Sequence, residues 1–168
     1  MEYPMKKRFL NILLLCSTLS MVVPTVAWAE MMQNKQAKVQ MTVPQGWTMS
    51  TEDGVTTIAS KDDLMIVMFW ALEEDELEVG LEAWYTELHK MMTDIKETHA
   101  EPKETTINGF EAVQMDGTGL IEGVETRWDT TIILAATPLI MATVSFKEGQ
   151  QRYGKDLKSM LASLKASK

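Results

Sequence analysis

Leu64-Met65-Ile66-Val67-Met68-Phe69-Trp70-Ala71-Leu72 is the stretch on which the fold turns. A strand sends successive side chains to opposite faces of its sheet, so these residues divide into two sets. Leu64, Ile66, Met68, Trp70 and Leu72 form one set, and Met65, Val67, Phe69 and Ala71 the other. Both sets are apolar, whereas a sheet with one wet face alternates apolar with polar. The strand must therefore be covered on both sides. Leu139–Phe146 repeats the pattern, with Leu139, Met141 and Thr143 facing one way and Ile140, Ala142, Val144 and Phe146 the other.

Two amphipathic segments can supply the covers. From Asp75 to about Lys96, Leu77, Leu81, Trp84, Leu88, Met91, Met92 and Ile95 recur at helical spacing and form one apolar stripe. Asp75 with Glu78 three residues on resembles a capping box, and the acidic first turn suits the helix dipole. From Gly149 to Ala166, Tyr153, Leu157, Met160, Leu161 and Leu164 form a second stripe. The other predicted strands are Lys38–Val43, Val55–Ser60, Glu104–Ile107, Phe110–Gly119 and Val124–Ala136, with turns at Pro44-Gln45-Gly46, Glu52-Asp53-Gly54 and Glu122-Gly123. Asn108-Gly109 between two strand-like runs is a strong hairpin signal. The reading is one α+β domain over residues 38–168, a largely antiparallel sheet of six or seven strands flanked by the two helices, one on each face or both on one. Residues 30–37 read as a disordered lead-in.

Upstream lies a different kind of segment. Lys6, Lys7 and Arg8 precede an apolar run from Phe9 to Val23, Pro24 breaks it, and Ala27-Trp28-Ala29 is a cleavage pattern. This order describes a secretory signal peptide over residues 1–29, cut between Ala29 and Glu30. The apolar run is short for a membrane-spanning helix, which needs about 20 residues. Cys16, the only cysteine, is preceded by Leu13-Leu14-Leu15 rather than by the small residue a lipidation site requires. The expectation is a periplasmic protein without stable membrane insertion.

Cleavage also changes the composition. Of 16 Lys and Arg and 24 Asp and Glu, the signal holds Lys6, Lys7, Arg8 and Glu2, which leaves 13 basic against 23 acidic side chains and a net charge near −10. Such a surface repels phosphate backbones, so nucleic acid is not an expected partner. No cysteine remains, which excludes disulfides, thiol chemistry and Cys-ligated metals.

Candidate chemistry is sparse. His89 and His99 stand ten residues apart across a predicted helix end, without the i, i+4 spacing of a ligand pair, and read as surface residues. Glu73-Glu74-Asp75-Glu76, with Glu78 beyond, could hold a divalent cation through oxygens, but a solvated helix start explains it as well. The methionines fall mostly on core faces, with Met31-Met32 the exception. Trp70 and Trp84 belong to apolar stripes. Trp47 follows a turn, and Trp128 sits between Arg127 and Asp129 on a strand of mixed faces, so Trp47, Arg127, Trp128 and Asp129 are the candidate groove for a ligand or partner. No Gly-rich phosphate loop or nucleophile elbow is present.

Val43-Pro44-Gln45-Gly46-Trp47 resembles the opening motif of exported bacterial domains in the Mog1/PsbP-like group, which includes the DcrB-type periplasmic proteins. Ile107-Asn108-Gly109-Phe110-Glu111-Ala112 is similar to that group's hairpin segment, and the element order matches over residues 38–165. The resemblance implies an α/β/α sandwich and an accessory or binding role without a shared catalytic set. DcrB-type members are lipoproteins, a point on which Cys16 departs from them. The functional expectation is a non-enzymatic exported protein, without cofactor, binding another exported or envelope protein through a groove. The alternatives are a divalent-metal protein using the acidic segment and, third, a hydrolase with a carboxylate site.

Overall fold

A computed structural model describes residues 30–167, apart from the side chain of Glu74. The signal-peptide reading concerns residues outside that range. The main sheet has eight strands in the order β3-β4-β5-β10-β9-β8-β6, with β7 also paired to β8. These are β3 (Thr48–Glu52), β4 (Val55–Ala59), β5 (Met65–Ala71), β6 (Thr93–Glu97), β7 (Lys103–Ile107), β8 (Phe110–Ile121), β9 (Val124–Ile133) and β10 (Leu139–Phe146). Every pairing is antiparallel. A small second sheet joins β1 (Met31–Asn34), β2 (Val39–Thr42) and β11 (Lys165–Ala166). Helices α1 (Leu77–Met91) and α2 (Lys147–Ala162) complete the chain, with a single 3-10 turn at Glu74–Glu76 before α1.

The hairpins follow from their turn residues. Asp53-Gly54, Asn108-Gly109 and Glu122-Gly123 each place two consecutive residues at positive φ. That is the primed turn whose twist matches the flanking strands. The two-faced strands sit at the centre of the sheet: β10 pairs with β5 on one side and β9 on the other.

Each face carries its own core. On one, Met65, Val67, Phe69, Leu139, Met141 and Ile133 pack with Tyr153, Leu157, Met160 and Leu161 of α2, with Met32, Val39 and Met41 of the small sheet, and with Trp47. On the other, Met68, Trp70, Trp128, Ile132, Ile140 and Ala142 pack under Trp84, Leu88 and Met92 at α1. The helices therefore lie on opposite faces. The Trp84 indole N–H donates to Thr130 Oγ1 at 2.8 Å, which fixes α1 to the sheet by a buried polar contact as well as by its apolar stripe.

Four local expectations are corrected. Met31–Asn34 is a strand rather than a disordered lead-in, because Met32 is 1 % exposed and gives the segment an apolar anchor in the core. A further strand, β3, occupies Thr48–Glu52 on the edge of the sheet. The first helix ends at Met91, after which Thr93–Glu97 pairs with β8 as β6; Met92 and Ile95 still face the same core, so strand and helix continue one apolar stripe. The N-cap residue of α1 is Glu76 rather than Asp75, and among the described residues no side chain makes a capping hydrogen bond there.

Candidate functional site

The face under α2 is apolar only in part. Cross-strand partners in an antiparallel ladder share a face, so the register lays out the floor in rows. Gln114 on β8, Thr131 on β9 and Met141 on β10 form one row; Asp116, Asp129 and Thr143 the next; Thr118, Arg127 and Ser145 the third. The neighbouring β5 residues opposite β10 are Phe69, Val67 and Met65. Apolar residues on β5 thus give way to polar and charged ones on β8 and β9.

Helix α2 covers the apolar side of this floor. Its start lies against the β4–β5 turn, where a Cβ on Gly149 would come within 2.2 Å of the Leu64 carbonyl oxygen. The Tyr153 hydroxyl donates to Asp62 Oδ2 at 2.9 Å, Arg152 pairs with the same oxygen at 2.7 Å, and the Tyr153 ring stands edge-on to Trp47. Burial pushes the Asp62 carboxyl up. Hydrogen bonds from Tyr153, Ser60 and the Leu64 N–H, with the charge of Arg152, outweigh it and hold the group below its ordinary value.

Pinned on that side, α2 leaves a cleft of about 630 Å³ along its other flank, above β8, β9 and β10. Gln150, Gln151, Gly154, Lys155 and Lys158 wall it from the helix, and Met65, Met141, Leu157 and Leu161 supply its apolar lining. Its floor holds Gln114, Arg127, Asp129, Thr131, Thr143 and Ser145, and Thr105 and Ile107 of β7 lie at the margin.

Within the floor, Arg127 donates to Asp116 Oδ2 at 2.8 Å. Asp129 accepts from Thr131 Oγ1 at 2.9 Å and from the Gln114 amide. Its carboxyl is pushed above the ordinary value first by burial and further by the facing Asp116 charge, against the pull of Gln114, Thr131 and Arg127. Thr143, 5 % exposed, presents a hydroxyl that has no hydrogen-bond partner among the described residues. A buried hydroxyl left unpaired costs about 1–3 kcal/mol, and native structures keep few of them.

The four residues singled out from sequence separate. Arg127 and Asp129 share the floor of the cleft. Trp128 borders it as part of β9, but its ring is 1 % exposed on the opposite face, edge-on to Tyr85 at 6.0 Å. Trp47 is 8 % exposed within the α2-side core. The two indoles therefore line no common groove: β9 alternates, so whatever faces Arg127 and Asp129 excludes Trp128. His89 and His99 are both exposed. The helix flank of Gly154, Lys155 and Lys158 was not marked by periodicity, because only the docking of α2 brings it over the polar rows.

Among the described residues no three His, Asp or Glu side chains converge to hold a metal, and Glu73 accepts a hydrogen bond from Gln36 at 3.0 Å.

No family model matches the sequence, and no curated protein is similar to it. Solved structures are. CyanoP, the cyanobacterial PsbP of Synechocystis sp. PCC 6803, superposes with a TM-score of 0.53 over 90% of this chain and 98% of its own, at 11% identity. The fold is PsbP-like. LpqN of Mycobacterium tuberculosis, described as involved in cell envelope biogenesis, matches with a TM-score of 0.51 over 86% of this chain and 93% of its own, at 12% identity. A protein from Bacteroides thetaiotaomicron gives 0.55 over 83% of this chain at 13% identity, and the chain spans 49% of its length. The antiparallel sheet with two helices expected from sequence is therefore the observed architecture. Among the described residues no helix is long and apolar enough to cross a membrane.

Proposed function

We propose that this chain is an exported, non-enzymatic binding protein of the cell envelope, with the cleft beside α2 as its working surface. The observation that carries the reading is the cleft floor itself, where the half-buried Asp129 carboxylate lies beside the Thr143 hydroxyl, which has no hydrogen-bond partner among the described residues. An occupant with hydrogen-bonding groups would add partners to this floor. Residues 1–29, read as a signal peptide, support export. PsbP-like neighbours, one of them titled as an envelope-biogenesis protein, fit an accessory role.

One feature favours a hydrolytic reading, the facing pair Asp116 and Asp129. Arg127 holds Asp116, and both Asp129 oxygens already accept bonds, which suits fixed binding groups better than a proton donor and acceptor.

The test is capture from a periplasmic extract under mild crosslinking, comparing the mature chain with Gly154→Leu. Gly154 borders the cleft, and nothing lies within 4 Å of a Cβ built there, so a larger side chain fills the cleft while leaving the core alone. Recovery of one species by the wild type and its loss with Gly154→Leu is the expected outcome. Equal recovery by both proteins overturns the cleft as the working surface. Export is checked separately by N-terminal sequencing of the periplasmic protein, which should begin at Glu30.

A further inference from the structure

Beyond the existence of a cleft, its charges describe what enters it. Arg127 is committed to Asp116, so the cation nearest to Asp129 along its strand is engaged elsewhere. Asp129 faces Asp116 directly across the ladder, an arrangement of like charges that weakens a sheet. A neutral hydroxyl compound would give Asp129 one more hydrogen bond and bring no further positive charge to it. A ligand cation would compensate the charge and share the site with the free Thr143 hydroxyl.

The opposite wall has the opposite sign. Lys155 and Lys158 border the cleft from α2, both exposed and neither in an ion pair among the described residues. They are cations without an ion-pair partner among the described residues, on a strongly acidic domain, across the opening from the Asp129 carboxylate. Gly154 precedes Lys155 on the same wall. Glycine inside a helix is unfavourable relative to alanine, because it loses more backbone freedom on folding. No neighbour requires it here, unlike Gly149 in the same helix, where a side chain would strike backbone. What Gly154 provides is room in the cleft.

We propose that the cleft takes a small zwitterion derived from amino acids, between a free amino acid and a short peptide. Its ammonium group is held by Asp129 and Thr143, its carboxylate by Lys155 and Lys158, and its apolar part lies along Met141 and Leu161. The proposal rests on the cleft as the working surface.

Titration calorimetry on the mature chain tests it with leucine and glycyl-leucine, against N-acetyl-glycyl-leucine (no ammonium), glycyl-leucinamide (no carboxylate) and maltose (neither charge). The expected result is heat with leucine or glycyl-leucine and none with the other three. Asp129→Asn should weaken that binding by roughly thirtyfold or more, as for a desolvated ion pair cut on one side. Lys155→Gln and Lys158→Gln should each weaken it by about threefold, as for exposed charges. Gly154→Leu should abolish it with the melting temperature unchanged or raised. Equal binding of the acetylated peptide, binding of maltose alone, or no heat from either zwitterion overturns the proposal. The capture experiment stands apart from these outcomes: should the zwitterions give no heat, loss of the captured species with Gly154→Leu still supports the cleft as the working surface.

Discussion

At the scale of single residues, the cleft floor holds one hydroxyl, that of Thr143, with no hydrogen-bond partner among the described residues. Thr143→Val keeps the shape and removes the unpaired hydroxyl. The expected result is a gain in stability of up to about 1 kcal/mol by urea denaturation, together with loss of ligand. Asp129 makes the same argument through pH. Its folded pKa is raised, so the folded protein keeps this proton to higher pH than the unfolded chain does. Stability contributed here falls as pH rises from the ordinary carboxylate value through the raised one, and the deficit remains above it. Asp129→Asn should therefore match the wild type below pH 4 and exceed it at pH 7, as read from melting temperatures across that range. A variant less stable at pH 7 than the wild type contradicts the assignment. The sequence placed Arg127 and Asp129 on one strand with Trp128 between them. Strict alternation already separates the tryptophan from the two charges. What the sequence did not carry was the direction, because which face lies under α2 depends on the docking of a helix that follows the strand by fourteen residues or more.

At the scale of elements, α2 contains two glycines with opposite meanings. Gly149 allows the helix start to touch the Leu64 carbonyl, and Gly149→Ala should destabilise the protein, because neither backbone can move aside. Gly154 meets open space, and Gly154→Ala should stabilise it by about 0.5–1 kcal/mol. Chemical denaturation of the pair gives opposite signs if the helix is docked as described; equal signs would mean that it is not. Element boundaries were legible where turn chemistry marks them, as at Asn108-Gly109, whose positive φ values form the expected hairpin. They were lost where one apolar stripe runs through a change of geometry. Met92 and Ile95 continue the helical spacing of α1, yet β8 has a free edge at that height and takes Thr93–Glu97 as a strand. Pairing with a sheet edge is a long-range reward that local periodicity does not register. The 4-residue β1 was missed for a related reason: its single inward anchor, Met32, is too little to show a pattern.

At the scale of the molecule, the stretch at residues 64–72 determines more than the presence of two covers. The same strands β5, β9 and β10 form the floor of both cores, so neither face can lose its packing without exposing the backs of strands that the other face needs. Two separate domains would show two transitions; this arrangement should show one. Leu88 is fully buried under α1 and Leu164 is fully buried in the α2-side core just beyond that helix, and truncating either removes methyl groups from a site that collapses only in part. Leu88→Ala and Leu164→Ala should each cost about 2–5 kcal/mol. Tryptophan fluorescence reports on both faces, since Trp47 lies in one core and Trp70, Trp84 and Trp128 in the other. In each variant the fluorescence transition should coincide with the loss of secondary structure by circular dichroism, at one lowered midpoint. If Leu164→Ala instead released Trp47 early and left the α1-side tryptophans folded, the α2 face would be a separately melting layer. The cleft would then lie on a mobile helix rather than on a rigid floor and wall. Coincident transitions place the cleft between elements held by a single cooperative core, which is the preorganisation that a polar binding site with fixed charges requires.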